Sequence, residues 1–304
     1  MSTVALSEAV GTALMEGTPV VALESTVYSN LGLPTPDNHS ALQRSVDAIV
    51  GAGAVPAVTA VIDGTLRAGI EPEEWERILT ASRKTAERDL PVAVGQRWDV
   101  GVTTVSASLA IAATAGISVF ATGGIGGVHR DWGRTGDISA DLGAIARHPV
   151  ATVSAGAKSF LDLEHTLEAL ETLGAPVIGW QTDEFPAFTA RTSRLPVPHR
   201  CDDIDELGRI VATQRDFGRG ALVVTPVPES DALDQDRHDA ALAAALAAVE
   251  SEGITGAAVT PFVLGRIAEA TEGASVPANL ALVENNARLA AALAHTVGVS
   301  GSGE

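Results

Sequence analysis

Short apolar runs without polar alternation recur between longer amphipathic segments, and this alternation constrains the chain more than any other feature. A strand that is apolar on both faces needs cover on both faces, and regular alternation with helices is the pattern of a parallel sheet. The runs predict strands at Val20–Leu23, Ala57–Ile62, Ile117–Thr122, Val150–Ser154, Val177–Trp180 and Ala221–Val224. Helical periodicity predicts helices near Ser2–Glu16, Asn38–Val50, Glu71–Ser82, Thr103–Ala115, Asp137–Arg147, Ser159–Thr172, Ile204–Arg215, Asp231–Glu250, Val263–Glu272 and Pro277–Ala294. The expected fold is a single-domain α/β/α structure, with a mostly parallel sheet between helical layers. No repeat or linker divides it. One domain is expected over residues 1–296, followed by a flexible tail, 297–304 (VGVSGSGE).

Charge narrows the function. With 38 acidic against 20 basic residues, the net charge is −18. A nucleic-acid binder needs a cationic footprint, and so does a protein that docks on anionic lipid; neither is expected. The single cysteine, Cys201, excludes an intrachain disulfide framework and a multi-cysteine zinc site. The longest uncharged stretch, Val100 to His129, is rich in Gly, Ala, Ser and Thr, and reads as a buried helix followed by a strand rather than a membrane span. The N-terminus has no basic region followed by an apolar run. A soluble cytoplasmic protein is expected.

The cations are 18 arginines and only two lysines, Lys84 and Lys158. Arginine stays charged at any working pH, whereas a desolvated lysine can lose its proton and attack carbon. Where arginine serves almost everywhere, the remaining lysines are candidates for chemistry that arginine cannot perform.

Ligands of open α/β sheets bind beyond the carboxyl ends of the strands. The predicted strands end in Glu24-Ser25-Thr26, in Thr122-Gly123-Gly124-Ile125-Gly126-Gly127-Val128-His129-Arg130, in Ser154-Ala155-Gly156-Ala157-Lys158-Ser159 and in Gln181-Thr182-Asp183-Glu184. A carboxylate, a glycine loop, a lysine and a polar cluster are thus expected on one rim. The glycine loop reads equally as a structural turn and as a phosphate cradle; its spacing is not that of a dinucleotide site. Lys158 lacks the glycines of a nucleotide P-loop, since Ala157 and Thr152 stand where that motif has them. Asp137 reads either as a helix cap with Asp141 one turn on, or as a hard-cation ligand. The seven histidines lack paired ligand spacing and are mostly expected at the surface; His129, leaving the glycine loop, is the exception.

A set of collinear segments carries a family resemblance. They are VALEST (Val21–Thr26), AVPAVTAVIDG (Ala54–Gly64), ERDLPVAV (Glu87–Val94), TTV (Thr103–Val105), FATGGIGGVHR (Phe120–Arg130), DISADL (Asp137–Leu142), AGAKSFLDL (Ala155–Leu163), QTDEFPAF (Gln181–Phe188), VTPFVLGRIAEAT (Val259–Thr271) and NLALVENNARLA (Asn279–Ala290). From about Leu6 to Ala294 the chain resembles the pseudouridine-5′-phosphate glycosidases, or indigoidine synthase A-like family. The resemblance implies reversible cleavage of the C–C glycosidic bond of pseudouridine 5′-phosphate to uracil and ribose 5-phosphate. It also implies an α/β/α fold, a homotrimer and a divalent metal, usually Mn²⁺. It places the proton donor on Glu24, the nucleophilic lysine on Lys158 and the metal ligand on Asp137. Substrate contacts fall on Lys84, Val105, Ser139, Ala140, Asp141 and Asn279.

The chain departs from the family pattern in three places. The segment Ser25–Asn38 carries one inserted residue and lacks a histidine, one residue is inserted between Lys84 and Val105, and Glu284 replaces an apolar residue. These changes bear on base recognition more than on cleavage. Two rival readings remain: an enzyme acting on a different C- or N-ribosyl phosphate, and a non-catalytic ligand-binding protein that keeps the fold.

Overall fold

The computed structural model describes residues 4–254 and 259–299. Among them the strands are β1 (Ala5–Leu6), β2 (Val20–Leu23), β3 (Val55–Ile62), β4 (Thr65–Ala68), β5 (Lys84–Thr85), β6 (Val100–Thr103), β7 (Val119–Ala121), β8 (Ala151–Ser154), β9 (Val177–Trp180), β10 (His199–Cys201) and β11 (Ala221–Val224). The α-helices are α1 (Glu8–Glu16), α2 (Asp37–Gly51), α3 (Trp75–Leu79), α4 (Leu90–Gly95), α5 (Val105–Ala115), α6 (Trp132–Thr135), α7 (Ala140–Arg147), α8 (Leu163–Leu173), α9 (Ile204–Asp216), α10 (Gln235–Glu252), α11 (Val259–Ala270) and α12 (Ser275–Val299).

The body of the sheet is parallel, in the order β3-β2-β7-β8-β11-β9-β10. The long strand β3 belongs to two pairings. Its first half runs parallel to β2, while its second half pairs antiparallel with β4 and β6. Strands β1 and β5 then add in parallel to β4 and β6. The fold is therefore the expected α/β/α layering around a mostly parallel sheet, extended by a small mixed lobe.

The unalternated strands behave as a doubly covered sheet requires. Val21 and Leu23 of β2 join Val119, Ala121, Val153 and Val223 in a core with α2, α9 and α12. Val20 and Ala22 point the other way and join Phe120, Leu222 and Val224 with α5, α7 and α8. Phe120 is fully buried, and truncating such a side chain to alanine costs about 3–5 kcal/mol. Acidic or hydroxyl caps fix several helix starts: Ser7 on α1, Ser139 on α7, Asp162 on α8, Asp203 on α9 and Asp234 on α10.

Several expectations are corrected. Ala5–Leu6 pairs as a strand, so α1 begins at Glu8; Ser2, the expected helix start, lies outside the described residues. Val100–Thr103 is a strand before the expected helix, because its residues pair with β3. The segment from Glu71 holds only a short 3₁₀ turn and the five-residue α3. Helix α12 runs to Val299; residues 300–304 of the expected tail lie outside the described residues.

Candidate active site

Strand order reverses between β2 and β7: from β2 the chain builds outward to β3, and β7 continues on the opposite side. A crevice opens beyond the carboxyl ends at such a point. Glu24 leaves β2 and Thr122 leaves β7, and Thr122 Oγ1 donates a hydrogen bond to Glu24 Oε1 across the crevice. Glu24 is only 7% exposed. Burial pushes its carboxyl from 4.5 up to about 7, opposed by the charge of Lys158 and by the Thr122 hydrogen bond. Asp141 adds to the rise, and Lys84 subtracts from it.

Behind Glu24 the chain is held by buried hydroxyls. Ser25 Oγ donates to the Thr59 carbonyl at 2.7 Å and accepts from Thr103 N–H at 2.9 Å. Thr59 Oγ1 lies 2.9 Å from Thr103 Oγ1 and donates to Ser108 Oγ at 2.8 Å. This ties the end of β2, the middle of β3 and the end of β6 to α5, so the backbone carrying Glu24 is braced from three sides.

Lys158 enters from β8, on the far side of β7. Ile125 N–H donates to the Gly156 carbonyl at 3.0 Å and Lys158 N–H to the Ile125 carbonyl at 3.2 Å, so the glycine loop and the lysine loop are zipped together. Gly156 takes φ +77°, and a Cβ there would collide with the Pro186 carbonyl. The Lys158 side chain is partly buried.

The glycine loop is a close-packed splice. Besides Ile125, Gly126 N–H donates to Asp141 Oδ2 at 2.9 Å and Val128 N–H to Thr166 Oγ1 at 3.0 Å. A Cβ on Gly124 would strike the Phe188 ring. These three amides are occupied by protein acceptors, which favours the structural reading of the loop over a phosphate cradle.

Asp141 brackets two elements. Its Oδ1 accepts from Ser106 N–H at 3.1 Å in the first turn of α5, while Oδ2 holds the glycine loop. Both oxygens of this buried side chain therefore do positioning work. Ser139 Oγ accepts from Asp141 N–H at 3.2 Å, which makes Ser139 the cap of α7 and Ala140 its first residue. The expected helix start at Asp137 is thus corrected, and of its two readings the cap is excluded: the chain is still extended there, with Ser139 N–H bonded to the Gly127 carbonyl. Val105 opens α5 with its side chain buried, leaving its backbone N–H as what it can offer a ligand. Lys84, at the start of β5, is solvent-accessible. Its ammonium is pulled below the ordinary lysine range by the surrounding protein and by Lys158, against the charges of Asp141, Glu24 and Asp137, with solvent screening all of these.

Asp137 stands at the outer edge, its side chain 44% exposed, with Oδ2 3.8 Å from His129 Nε2. Among the described residues no group of three or more His, Cys, Asp or Glu side chains could hold a metal. An exposed lone carboxylate fits a hydrated hard cation that keeps most of its waters, and does not fit a dehydrated cage.

Asn279, in the first turns of α12, is 7% exposed and has no partner for Oδ1 among the described residues. It lines a cavity of about 250 Å³ with Asn30, Leu33, Ser159, Phe188 and Ile267. Ser159 follows Lys158, so the cavity adjoins the lysine, and Leu33 belongs to the segment with the inserted residue.

Glu24, Lys158, Lys84, Asp141 and Asp137 thus meet electrostatically around one crevice. The Gln181–Glu184 cluster does not join them. It lies at β9, beyond β11, where Asp183 pairs with Arg200 at the surface. Sequence reasoning placed Thr122 on the rim and gave it no role; its contact with Glu24 depends on β7 lying beside β2, which no local pattern encodes. His238 is buried, against the expectation for most histidines.

A lysine and a buried carboxyl coupled on the carboxyl rim of a parallel sheet are the residue types that an enzyme site for covalent chemistry with proton transfer requires. The chain belongs to the indigoidine synthase A-like family, whose model matches residues 9–296. A pseudouridine-5′-phosphate glycosidase of Myxococcus xanthus (strain DK1622) is 49% identical over 293 residues, 95% of this chain and 96% of its own. One from Caldanaerobacter subterraneus is 47% identical over 293 residues, 95% of each chain. The prealnumycin C-glycosynthase AlnA, solved in complex with ribulose 5-phosphate, superposes with a TM-score of 0.90 at 37% identity, covering 99% of this chain and 98% of its own. An indigoidine synthase A-like protein from Thermotoga maritima gives a TM-score of 0.83 at 34% identity, covering 93% and 94%.

Proposed function

We propose that this protein reversibly cleaves the C–C glycosidic bond of pseudouridine 5′-phosphate to uracil and ribose 5-phosphate, with Lys158 as nucleophile and Glu24 as proton donor. The observation that carries this is the pairing of a lysine with a buried, raised carboxyl at one crevice. The names of the relatives and of the C-glycosynthase neighbour support the same chemistry.

A C-glycoside has no heteroatom leaving group, so two-carboxylate hydrolysis does not suffice. The neutral Lys158 amine bonds to C1′ as the C1′–ring oxygen bond breaks, and the proton that the nitrogen gives up passes to the departing oxygen, opening the sugar and leaving a nitrogen lone pair. Glu24 protonates the base carbon attached to C1′. The C1′–carbon bond then breaks, its electron pair staying with the base, as the nitrogen lone pair forms an imine with C1′. Water adds to the imine and releases ribose 5-phosphate, returning the free amine. Glu24 must start protonated, and its burial serves that need.

The phosphate is placed against Lys84, with the first turns of α5 and α7 at Val105, Ser139 and Ala140. Asp141 holds these turns together. The base is placed toward Asn279, whose Oδ1, without a partner among the described residues, suits an N–H donor. Asp137 is the proposed ligand of a hydrated Mn²⁺, which when bound offsets negative charge beside the substrate. The resemblance extends the proposal to a homotrimer working in the cytoplasm; among the described residues no helix is long and apolar enough to cross a membrane.

Uracil release is the test. Pseudouridine 5′-phosphate should release uracil, and free pseudouridine should lose at least about tenfold in kcat/KM. Release only from an N-riboside phosphate would favour the rival enzyme reading; no release from any ribosyl phosphate would leave the ligand-binding reading.

A further inference from the structure

Asn286 has no part in the chemistry above, yet it is fully buried on α12 among apolar neighbours. Its Nδ2 donates to two consecutive carbonyls, Thr122 O at 2.8 Å and Gly123 O at 3.2 Å. Two carbonyl acceptors on one side fix the amide orientation, because only the nitrogen can donate. The other end, Oδ1, has no partner among the described residues. An apolar side chain of similar size would avoid that loss, so the amide is useful here only for the bonds its nitrogen makes.

Those bonds act on the residue that holds the proton donor. The carbonyls belong to the turn at the end of β7, and the same Thr122 donates through Oγ1 to Glu24. Thr122 N–H is fixed by the Val153 carbonyl at 3.0 Å, so the residue is held at its amide by β8 and at its carbonyl by α12. Gly123 packs against Val283 and Leu282 of the same helix, where a Cβ would lie 3.1 and 3.3 Å from their side chains. The turn therefore sits flat on α12 with Asn286 as its hydrogen-bonding anchor.

We propose that Asn286 is a positioning residue for the reaction: it sets the Thr122–Gly123 turn so that Thr122 Oγ1 holds the Glu24 carboxyl in place for proton transfer. This rests on Glu24 being the proton donor. The chain of contacts runs from Asn286 Nδ2 to the Thr122 carbonyl and from Thr122 Oγ1 to Glu24 Oε1, so loss of either link should have the same consequence. The other groups facing Glu24 are Lys158 from the β8 loop, Lys84 from β5, Asp141 from α7 and Tyr28 from the loop after β2, and each is kept in the variants below.

The test is a double-mutant cycle on uracil release, with Asn286→Leu, Thr122→Val and the double variant, each checked for folding by circular dichroism. Asn286→Leu should lower kcat about tenfold with KM within about twofold. The alkaline limb of its pH profile should move upward, because a hydrogen bond that favours the Glu24 anion is weakened. The double variant should be no slower than Thr122→Val alone, since the two residues act through one contact. Should the leucine variant not fold, Asn286→Ser, which keeps a small donor, carries the same comparison with a smaller effect. A parental kcat and pH limb in a folded Asn286 variant would overturn the proposal, as would full additivity in the double variant. Glu24→Gln is run alongside: if it cleaves at the parental rate, the proton-donor reading fails, whereas if it is inactive while the Asn286 variants are parental, only the positioning role fails.

Discussion

Lys158 faces Glu24 from across β7, and its charge works against the burial of that carboxyl. The balance leaves Glu24 at about 7, so both protonation states are accessible near neutral pH. In the proposed mechanism cleavage needs the acid form, which is present below that value and lost above it. The rate of uracil release should fall as pH rises through about 7. Synthesis from uracil and ribose 5-phosphate needs the carboxylate to accept a proton, so its Glu24-dependent limb should slope the opposite way. Initial rates in both directions between pH 5.5 and 9, at fixed metal, check this; parallel slopes in the two directions would contradict it.

The same burial has a consequence for stability. Relative to an unfolded-state value of 4.5, a folded-state value of about 7 means that folding favours the protonated form. The penalty on the folded anion is absent below 4.5, grows between 4.5 and 7, and is complete above 7, where it reaches about 3 kcal/mol. Glu24→Gln removes it and keeps an oxygen for Thr122. The inactive variant should be the more stable protein at pH 8, by up to that amount, with the advantage vanishing near pH 4. Denaturant unfolding at the two pH values measures the difference; an equal gain at both would mean that desolvated charge is not its source.

Asp137 carries the metal prediction. Chelation should abolish turnover, and Mn²⁺ should restore it better than Ca²⁺, whose larger shell suits a site with one protein carboxylate poorly. Asp137→Asn should weaken Mn²⁺ binding at least about tenfold in a titration followed by electron paramagnetic resonance, without substrate present. Full activity of a verified metal-free sample would count against a metal role, and unchanged Mn²⁺ affinity in the variant would count against Asp137 as its ligand.

Much of this was legible in the sequence for local reasons. Val20–Leu23, Val177–Trp180 and Ala221–Val224 stand at their expected bounds because each is a short apolar run entered from Pro19, Pro176 or Gly220. Strand β4 was missed although its signal was present: Asp63 and Gly64, both at positive φ, form the tight turn of a β3–β4 hairpin. Strand β6 was hidden because Val-Gly-Val-Thr runs without a break in character into the buried helix α5. At the site, Glu24 and Lys158 were visible as the ends of two strands. The Thr122 and Asn286 contacts were not, because they join segments 98 and 164 residues apart and depend on sheet order. The cap reading of Asp137 stood beside the cation reading because Ser139, two residues on, is an equally good capping residue and the chain stays extended until it.

In the proposed mechanism Lys158 forms the covalent bond to the sugar, and an imine can be fixed by borohydride. Incubation with ribose 5-phosphate and uracil followed by reduction, then intact-mass and peptide mass spectrometry, measures it directly. One sugar phosphate per chain should be found on the peptide bearing Lys158, with Lys84 and the N-terminal amine unmodified. Lys158→Arg should show neither adduct nor uracil release, although charge is kept, because a guanidinium is not this nucleophile at neutral pH. A Lys158→Arg protein that cleaves pseudouridine 5′-phosphate near the parental rate, or an adduct confined to Lys84, would contradict the mechanism.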